Sequence, residues 1–322
     1  MITAVGIVAI GLMTLVLGGE VLLRGAVGLA TLLRLTPAVI GLTVVAAGTS
    51  VPELAVSAIA AAQGNPDIAV ANVVGSSIFN IGFIVGIVAL IRPPAITGNT
   101  IKLEYPVLAL VTLMAVAIAQ DGWINRVDAV LCLSVYACFT AYLVTLVRTQ
   151  LSAGEVAELR EEVAELTPDP HSTKRLLVSL ALVAAGAAFL WAGAQATVGG
   201  AVTMARLLGL SDRLIGLTVV SVGTGLPEVV TCVVSCVRGR NDVAIANVIG
   251  SNLFNILGIL GLSALLVPLP VDPTVNASDV WWLLGITLLW LPILFNGARV
   301  NRWEGGLLLA VYGTYLLGLF AR

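Results

Sequence analysis

Charged residues are scarce in this sequence of 322 residues, since 11% are charged and 59% are hydrophobic. The mean hydropathy is +1.05, whereas ordinary soluble domains carry about 25% charged residues. The composition therefore excludes a soluble domain and predicts a chain that crosses a membrane several times. The first apolar run, Ile2–Leu23, follows no basic segment and ends at no convincing cleavage site. We expect it to be a retained helix rather than a signal peptide.

The residue types and motifs of several function classes are also missing. His171 is the single histidine and lies in a polar loop, so it cannot form a transition-metal site by itself. The four cysteines lie inside apolar runs, where buried thiols are more common than disulfides or metal ligands. No Walker A, HExxH or EF-hand motif occurs. We therefore expect no enzyme, no cofactor, no separate calcium sensor and no nucleic-acid partner.

The apolar stretches predict an all-α polytopic membrane protein with ten transmembrane helices. Their approximate ranges are 2–33, 38–63, 68–91, 103–120, 126–148, 175–208, 213–237, 243–268, 279–297 and 303–320. The first and sixth are long enough to be strongly tilted, and both are rich in Gly and Ala, which lets helices approach closely. An acidic linker, 149–174, separates the fifth span from the sixth, and its segment 156–166 has the spacing of a short amphipathic helix.

One stretch of the chain occurs twice. Residues 41–86 and 216–261 align without a gap at a constant offset of 175. Five predicted spans separate equivalent points of the two copies, and because five is odd the copies must run in opposite directions across the membrane. We therefore predict two inverted five-helix repeats, 1–148 and 175–322, joined by the linker. Inverted repeats are typical of secondary transporters, whose substrate site lies near the bilayer midplane.

The basic residues predict the orientation of the chain. If the amino terminus is outside, twelve of the 16 Lys and Arg residues fall in inner loops and four fall outside. Loops rich in Lys and Arg stay in the cytoplasm. Both termini are therefore expected on the extracytoplasmic side of a prokaryotic plasma (inner) membrane.

Each copy places a glutamate directly after a proline inside an apolar run. Glu53 follows Pro52, and Glu228 follows Pro227. A carboxylate within a bilayer is costly and indicates a functional site. Proline removes a backbone donor and a nearby glycine loosens the helix, so carbonyls close to 46–49 are expected to be free to meet an ion. Hydroxyls lie beside the break at Thr49 and Ser50 in the first copy, and at Thr224 in the second.

A second motif in each copy adds amide and hydroxyl groups. Ser76 and Asn80 are four residues apart and share a helix face, as do Ser251 and Asn255. All these candidate ligands are oxygens, which suit hard cations and argue against copper, zinc or iron. Two carboxylates neutralise one Ca²⁺. Without a cation one or both should take up a proton, so proton coupling remains an alternative.

The paired motifs resemble those of a known family. GTSVPE and GTGLPE, followed by GSSIFN and GSNLFN, are similar to the α-repeats of the Ca²⁺:cation antiporter superfamily, in particular the prokaryotic sodium/calcium exchangers. The resemblance covers essentially the whole chain. It implies ion sites between the second, third, seventh and eighth spans, sliding of the tilted first and sixth spans, and exchange of Ca²⁺ against Na⁺.

The resemblance also implies a set of ion ligands. Carried over residue by residue, they are Ala46 and Ser221 by their carbonyls, with Thr49, Ser50, Glu53, Ser76, Asn80, Thr224, Glu228, Ser251 and Asn255. Gly225 stands where the family commonly has a serine, and Asn255 stands where some members have an aspartate. The second difference puts the Na⁺ stoichiometry and any K⁺ dependence in question.

These observations favour a secondary active antiporter that exchanges Ca²⁺ for Na⁺ by alternating access, with a bilayer around it and a single copy sufficient. An H⁺-coupled or K⁺-assisted exchanger would use the same glutamates. The proton-coupled branch carries a histidine after each motif glutamate, whereas Leu54 and Val229 follow here. A cation channel is a further alternative, although inverted halves that converge on a buried glutamate pair fit alternating access better.

Overall fold

The computed structural model of the chain describes residues 2–33, 35, 37–62, 66–96, 100–150, 173–208, 221–295 and 299–320. These residues are mostly helical, because a segment within a bilayer must satisfy its backbone hydrogen bonds internally. The predicted helical membrane fold is confirmed at this level. The amphipathic helix predicted at 156–166 lies outside the described residues.

The helices are labelled in chain order. The first seven are α1 (Ile2–Leu33), α2 (37–49, with a π-helical turn at Gly41–Val45), α3 (Val51–Ala62), α4 (66–91, with a π-helical turn at Asn80–Ile84), α5 (Thr100–Ala119), α6 (Arg126–Gln150) and α7 (Thr173–Leu207). The others are α8 (Ser221–Thr224), α9 (Leu226–Val237), α10 (Asn241–Leu266, with a π-helical turn at Phe254–Ile259), α11 (275–295) and α12 (Arg302–Phe320).

Within the described residues, six helices are long and apolar enough to cross a membrane, namely α1, α4, α5, α6, α7 and α10. The pair α2 and α3 passes the same test as one span that is bent by 53°. The other predicted spans fall on α8 with α9, on α11 and on α12. The first of these was predicted to begin at 213, which lies outside the described residues.

Two helices form the centre of the bundle. The apolar window of α10 is 94% buried and that of α4 is 67% buried, whereas the windows of α1, α6 and α7 are 22–28% buried. Large apolar side chains such as Leu17 on α1 and Leu177 on α7 are exposed. The outer helices therefore present an apolar surface suited to lipid, and the polar groups of α4 and α10 lie inside the protein.

Helices α1 and α7 pack against each other in antiparallel directions over much of their length. Glycines recur every seven residues on each helix, at Gly11, Gly18 and Gly25 on α1 and at Gly186, Gly193 and Gly200 on α7. A Cβ atom added at Gly18 would lie 2.7 Å from the backbone nitrogen of Leu190, and one added at Gly193 would lie 2.8 Å from that of Leu15. The two backbones thus approach so closely that only glycine fits at these positions.

Two short β contacts join loops at opposite ends of α5. Strand β1 (Trp123–Ile124) pairs in antiparallel fashion with β2 (Leu269–Pro270), and an isolated antiparallel bridge joins Ala95 to Arg299. The two contacts occupy equivalent positions in the two copies. At the offset of 175, Ala95 corresponds to Pro270 and Arg299 corresponds to Ile124, and Ile124 pairs with Leu269, one residue from Pro270.

Candidate cation site

The helix break between α2 and α3 recurs between α8 and α9. Ser50 separates the first pair with φ −85° and ψ 12°, and Gly225 separates the second with φ −83° and ψ 1°. In both cases a proline follows two residues later, within the first turn of the new helix, where its missing N–H is tolerated. Glu53 and Glu228 therefore lie in the first turns of α3 and α9. The partial positive charge of a helix amino terminus stabilises a carboxylate at this position.

The two breaks bring the two glutamates together in the interior. Glu53 is 1% exposed and Glu228 is 2% exposed, and their carboxyl groups interact electrostatically. Ser50 donates a hydrogen bond of 2.9 Å from its Oγ to Oε1 of Glu228, so one copy contacts the carboxylate of the other. Within the described residues, the Oε2 atoms of both glutamates are buried without a hydrogen-bond partner. Two carboxylates buried in this way need either a cation or a proton to offset their charge.

Amide groups from α4 and α10 lie in the same region. Asn80 donates from Nδ2 to Oδ1 of Asn252 at 3.0 Å, and Asn252 donates from Nδ2 to the Ser77 carbonyl at 3.4 Å. Asn80 begins the π-helical turn of α4, and Asn255 lies in the π-helical turn of α10. A π-helical turn widens a helix and is frequent at functional sites.

Asn72 holds α4 against the beginning of α3. Its Nδ2 donates to the Glu53 carbonyl at 3.2 Å and to Oγ of Ser57 at 3.0 Å. At the equivalent position of the second copy, Asn247 donates from Nδ2 to Sγ of Cys232 at 3.3 Å. Asn72 thus joins α4 to α3, and Asn247 joins α10 to α9.

The sequence model of one family, described as the sodium/calcium exchanger protein family, matches residues 3–145 and 178–321. The chain belongs to the sodium/calcium exchanger family. A protein of Alkalimonas amylolytica named as the antiporter CaxA is 38% identical over all of this chain and all of its own length. The sodium/calcium exchanger MaX1 of Methanosarcina acetivorans is 32% identical, over 98% of this chain and 97% of its own. A structure of the sodium-calcium exchanger NCX_Mj superimposes with a TM-score of 0.83 at 30% identity, covering 99% of both chains.

These matches confirm the resemblance of the paired motifs to the sodium/calcium exchangers, and with it the predicted function as an antiporter. The protein is a membrane antiporter and not an enzyme, and Na⁺ and Ca²⁺ are its transported ions rather than cofactors. The H⁺-coupled, K⁺-assisted and channel alternatives are not favoured by this assignment.

The exchanger differs from the sequence-based expectation at the first break. The Ala46 carbonyl, which was expected to be free, accepts the Ser50 amide at 3.0 Å and the Thr49 hydroxyl at 3.2 Å. The backbone ladder therefore continues up to Ser50. The carbonyl that Pro52 leaves without its usual donor is that of Gly48, four residues earlier, since proline has no N–H.

The remaining predicted ligands are distributed unevenly. Ser251 and Asn255 are buried, and Oγ of Ser251 and Oδ1 of Asn255 have no hydrogen-bond partner within the described part of the chain. Thr49 is buried and its hydroxyl also interacts with the Glu228 carboxyl group. Ser76 and Thr224 are half-buried. For Ser221 only the backbone is described, as the first residue of α8.

The structure explains why glycine occupies position 225 in this exchanger. A Cβ atom there would lie 2.6 Å from Cε1 of Phe79, whose ring stacks on Phe83 at 4.9 Å between centroids. The aromatic ring therefore fills the space that a serine side chain would need. As a result the second copy lacks the hydroxyl that Ser50 supplies in the first copy, and the surroundings of Glu53 and Glu228 are not equivalent.

The donor set agrees with a hard cation. Among the described residues, no group of three or more His, Cys, Asp or Glu side chains could hold a metal ion. The cysteines are unpaired: Cys132, Cys232 and Cys236 are buried, and Cys138 is exposed. Carboxylate, amide and hydroxyl oxygens dominate the region, as Ca²⁺ and Na⁺ require.

Asn252 was not among the ligands expected from the sequence. It lies one residue after Ser251 and is fully buried, and its amide group contacts both Asn80 and the Ser77 carbonyl. The sequence does contain a difference that points to it, since Asn252 stands where the first copy has Ser77.

Proposed function

We propose that Glu53 and Glu228 bind the transported cations at a single site that holds either Ca²⁺ or Na⁺ and opens alternately to the two sides of the membrane. The observation that carries this proposal is the buried carboxylate pair. Its Oε2 atoms have no hydrogen-bond partner in the described residues, and Ser50 connects one half to the other. Two negative charges balance one Ca²⁺ in a region of low dielectric constant.

The proposed ligands are oxygens from both copies. They are Glu53, Glu228, Asn80, Asn255, Thr49, Ser50, Thr224, Ser76 and Ser251 by their side chains, with Ala46 and Ser221 by their carbonyls. Asn255 supports this set because its Oδ1 is buried without a partner in the part of the chain described. Ligation by the Ala46 carbonyl requires the Thr49 hydroxyl to rotate away from it.

We also propose that the chain consists of ten spans in two inverted halves, 1–148 and 175–322, joined by the acidic linker 149–174. The α-repeats 41–86 and 216–261 would then face each other across the site. Equivalent helix breaks at Ser50 and Gly225 support this arrangement, as do π-helical turns at equivalent places in α4 and α10. The glycines of α1 and α7 and the two β contacts follow the same offset of 175.

The surroundings of the exchanger follow from the same proposal. The distribution of Lys and Arg favours both termini outside the cytoplasm, and we place the exchanger in a prokaryotic plasma (inner) membrane. The site is formed within one chain, so a single copy is sufficient for exchange.

The test replaces each carboxylate by its amide. Glu53→Gln and Glu228→Gln keep the volume but remove one of the two charges, so each should abolish Na⁺-driven ⁴⁵Ca²⁺ uptake into proteoliposomes. Glu104→Gln is a matched control, because Glu104 is equally buried but lies on α5, where Oε2 accepts the Thr100 hydroxyl. This control should retain uptake. Near-normal uptake by a folded Glu53→Gln or Glu228→Gln protein would refute the site.

A further inference from the structure

One face of α9 carries hydroxyl groups that the cation site does not use. Thr231 and Ser235 follow Glu228 by three and seven residues and therefore lie on its side of the helix. Both side chains are fully buried. Neither hydroxyl has a hydrogen-bond partner within the described residues. A buried hydroxyl without a partner is costly, so these two groups need a reason to be there.

Other buried threonines on helices of this protein satisfy their hydroxyls locally. Thr112 on α5 donates to the Leu108 carbonyl, and Thr287 on α11 donates to the Leu283 carbonyl, each at 2.8 Å. This bond to the carbonyl four residues earlier is the usual arrangement for threonine in an apolar helix. Thr231 does not make it, so its hydroxyl is available to another group.

The first copy shows that the motif does not require hydroxyls here. At the offset of 175, Val56 and Ala60 on α3 stand in place of Thr231 and Ser235. The bend, the proline and the glutamate are present in both copies, whereas the two hydroxyls occur only in the second. Their role therefore belongs to one side of the site.

Helix α1 packs against the side of α9 next to this face, where the Cα atom of Thr231 would lie 3.8 Å from a Cβ atom added at Gly19. A Cβ atom added at Gly19 would lie 3.3 Å from Cγ1 of Val230 and 3.5 Å from Cγ2 of Val234, so the two helices are in direct contact. The next residue, Glu20, accepts hydrogen bonds from Nε of Arg24 at 2.9 Å and from Nε of Arg238 at 3.0 Å. Arg238 directly follows the last residue of α9. The ion pair thus ties α1 to the end of α9 that is distant from Glu228.

We propose that Thr231 and Ser235 line the route by which a cation passes between Glu228 and the Arg238 end of α9. The segment of α1 at Gly19 and Glu20 closes this route, and the ion pair between Glu20 and Arg238 holds it closed. Hydroxyl oxygens replace part of the hydration shell of a moving cation without binding it as firmly as a carboxylate does. This inference rests on the proposed role of Glu228 as an ion ligand.

The first test removes both hydroxyls with residues that the first copy already uses. The double variant Thr231→Val and Ser235→Ala should slow ⁴⁵Ca²⁺ uptake about tenfold, while Ca²⁺ still raises the melting temperature of the detergent-solubilised protein as in the unmodified exchanger. Thr112→Val is the control, since it loses a buried hydroxyl that is bonded within its own helix. If the double variant does not fold, Thr231→Val alone is measured in the same way.

The second test asks whether α1 closes the route. In a background with Cys132→Ala, Cys138→Ala, Cys232→Ser and Cys236→Ala that retains uptake, Ser235→Cys is treated with a charged thiol reagent in detergent. Adding Glu20→Gln should speed its labelling several-fold, whereas Thr112→Cys should remain unlabelled.

The outcomes separate this inference from the proposed function. Uptake by the double variant at the rate of Thr112→Val overturns the route along α9 while Glu53→Gln stays inactive. A labelling rate of the Ser235→Cys variant that Glu20→Gln does not change overturns it equally. Normal uptake by Glu53→Gln would instead remove the site on which the inference rests.

Discussion

At the scale of single residues, Asn252 is the side chain that joins the amide motifs of the two copies. It accepts a hydrogen bond from Asn80 and donates one to the Ser77 carbonyl, and it is fully buried. Because Nδ2 of Asn80 donates to Oδ1 of Asn252, this hydrogen bond fixes the orientation of the Asn80 amide group. Asn252 is therefore expected to act by positioning Asn80 rather than by binding the cation itself.

Replacement of Asn252 by the residue of the first copy should weaken Ca²⁺ binding without abolishing it. Asn252→Ser removes both hydrogen bonds and leaves the buried Asn80 amide without its acceptor, a loss of about 1 kcal/mol or somewhat more. The apparent Kd for Ca²⁺, measured by calorimetry in detergent, should rise about three- to tenfold. The control is Asn276→Ser, since Asn276 accepts a bond from Gln120 away from the site. An unchanged Kd would show that Asn80 needs no support from Asn252.

Most residues of the proposed site could be selected from the sequence because polar and charged side chains are costly inside a membrane. Glu53 and Glu228 stand out in apolar runs, and the structure buries them together. The state of the Ala46 carbonyl could not be predicted, since it depends on whether the Thr49 hydroxyl turns back toward the helix. The need for glycine at position 225 could not be predicted either, because the ring of Phe79 that fills the space beside it lies on a helix distant in sequence.

At the scale of helices, α1 and α7 pack through glycines that the composition predicted only in general terms. A sequence rich in Gly and Ala indicates close approach, but it does not give the partner or the register. In the structure the seven-residue spacing of the glycines matches between the two antiparallel helices, so the contact continues over several turns. The register arises from the fold of the whole chain and not from either helix alone.

Two glycines on α7 should respond differently to alanine. A Cβ atom at Gly186 would collide with the backbone of Leu22 on α1, whose Cα atom would lie 2.6 Å away. Gly186→Ala must push the helices apart and should destabilise the exchanger by about 1–3 kcal/mol. Gly199, on the same helix, has nothing within 4 Å of an added Cβ atom. Gly199→Ala should be neutral or slightly stabilising, because alanine favours a helix by up to about 1 kcal/mol.

Thermal unfolding in detergent, followed by size-exclusion chromatography of the soluble fraction, compares the two variants directly. A lower melting temperature for Gly186→Ala only is the expected result. Equal melting temperatures would mean that α1 and α7 are not in backbone contact in the membrane protein.

At the scale of the whole molecule, the two copies are alike in backbone but unlike in surroundings. Gly250 on α10 would meet the backbone of Leu42 if it had a Cβ atom, whereas its counterpart Gly75 on α4 has open space. The proposed inverted halves would need such a difference, because alternating access closes one side of a site while the other is open. The sequence predicts that the halves are related, but it cannot tell which half is closed against the bundle in a given state.

The arrangement in the membrane can be tested at two equivalent positions. Ala62 ends α3 and Val237 ends α9, both are exposed, and they differ by the repeat offset of 175. In the cysteine-free background, Ala62→Cys and Val237→Cys are treated in intact cells with a membrane-impermeant thiol reagent. Because twelve of the 16 basic residues fall on one side when the amino terminus is outside, the cysteine at 62 should react at once. The cysteine at 237 should react only after the membrane is permeabilised. Reaction of both from the same side would refute the inverted repeat, whereas reaction from opposite sides in the reverse sense would keep the repeat and place both termini in the cytoplasm.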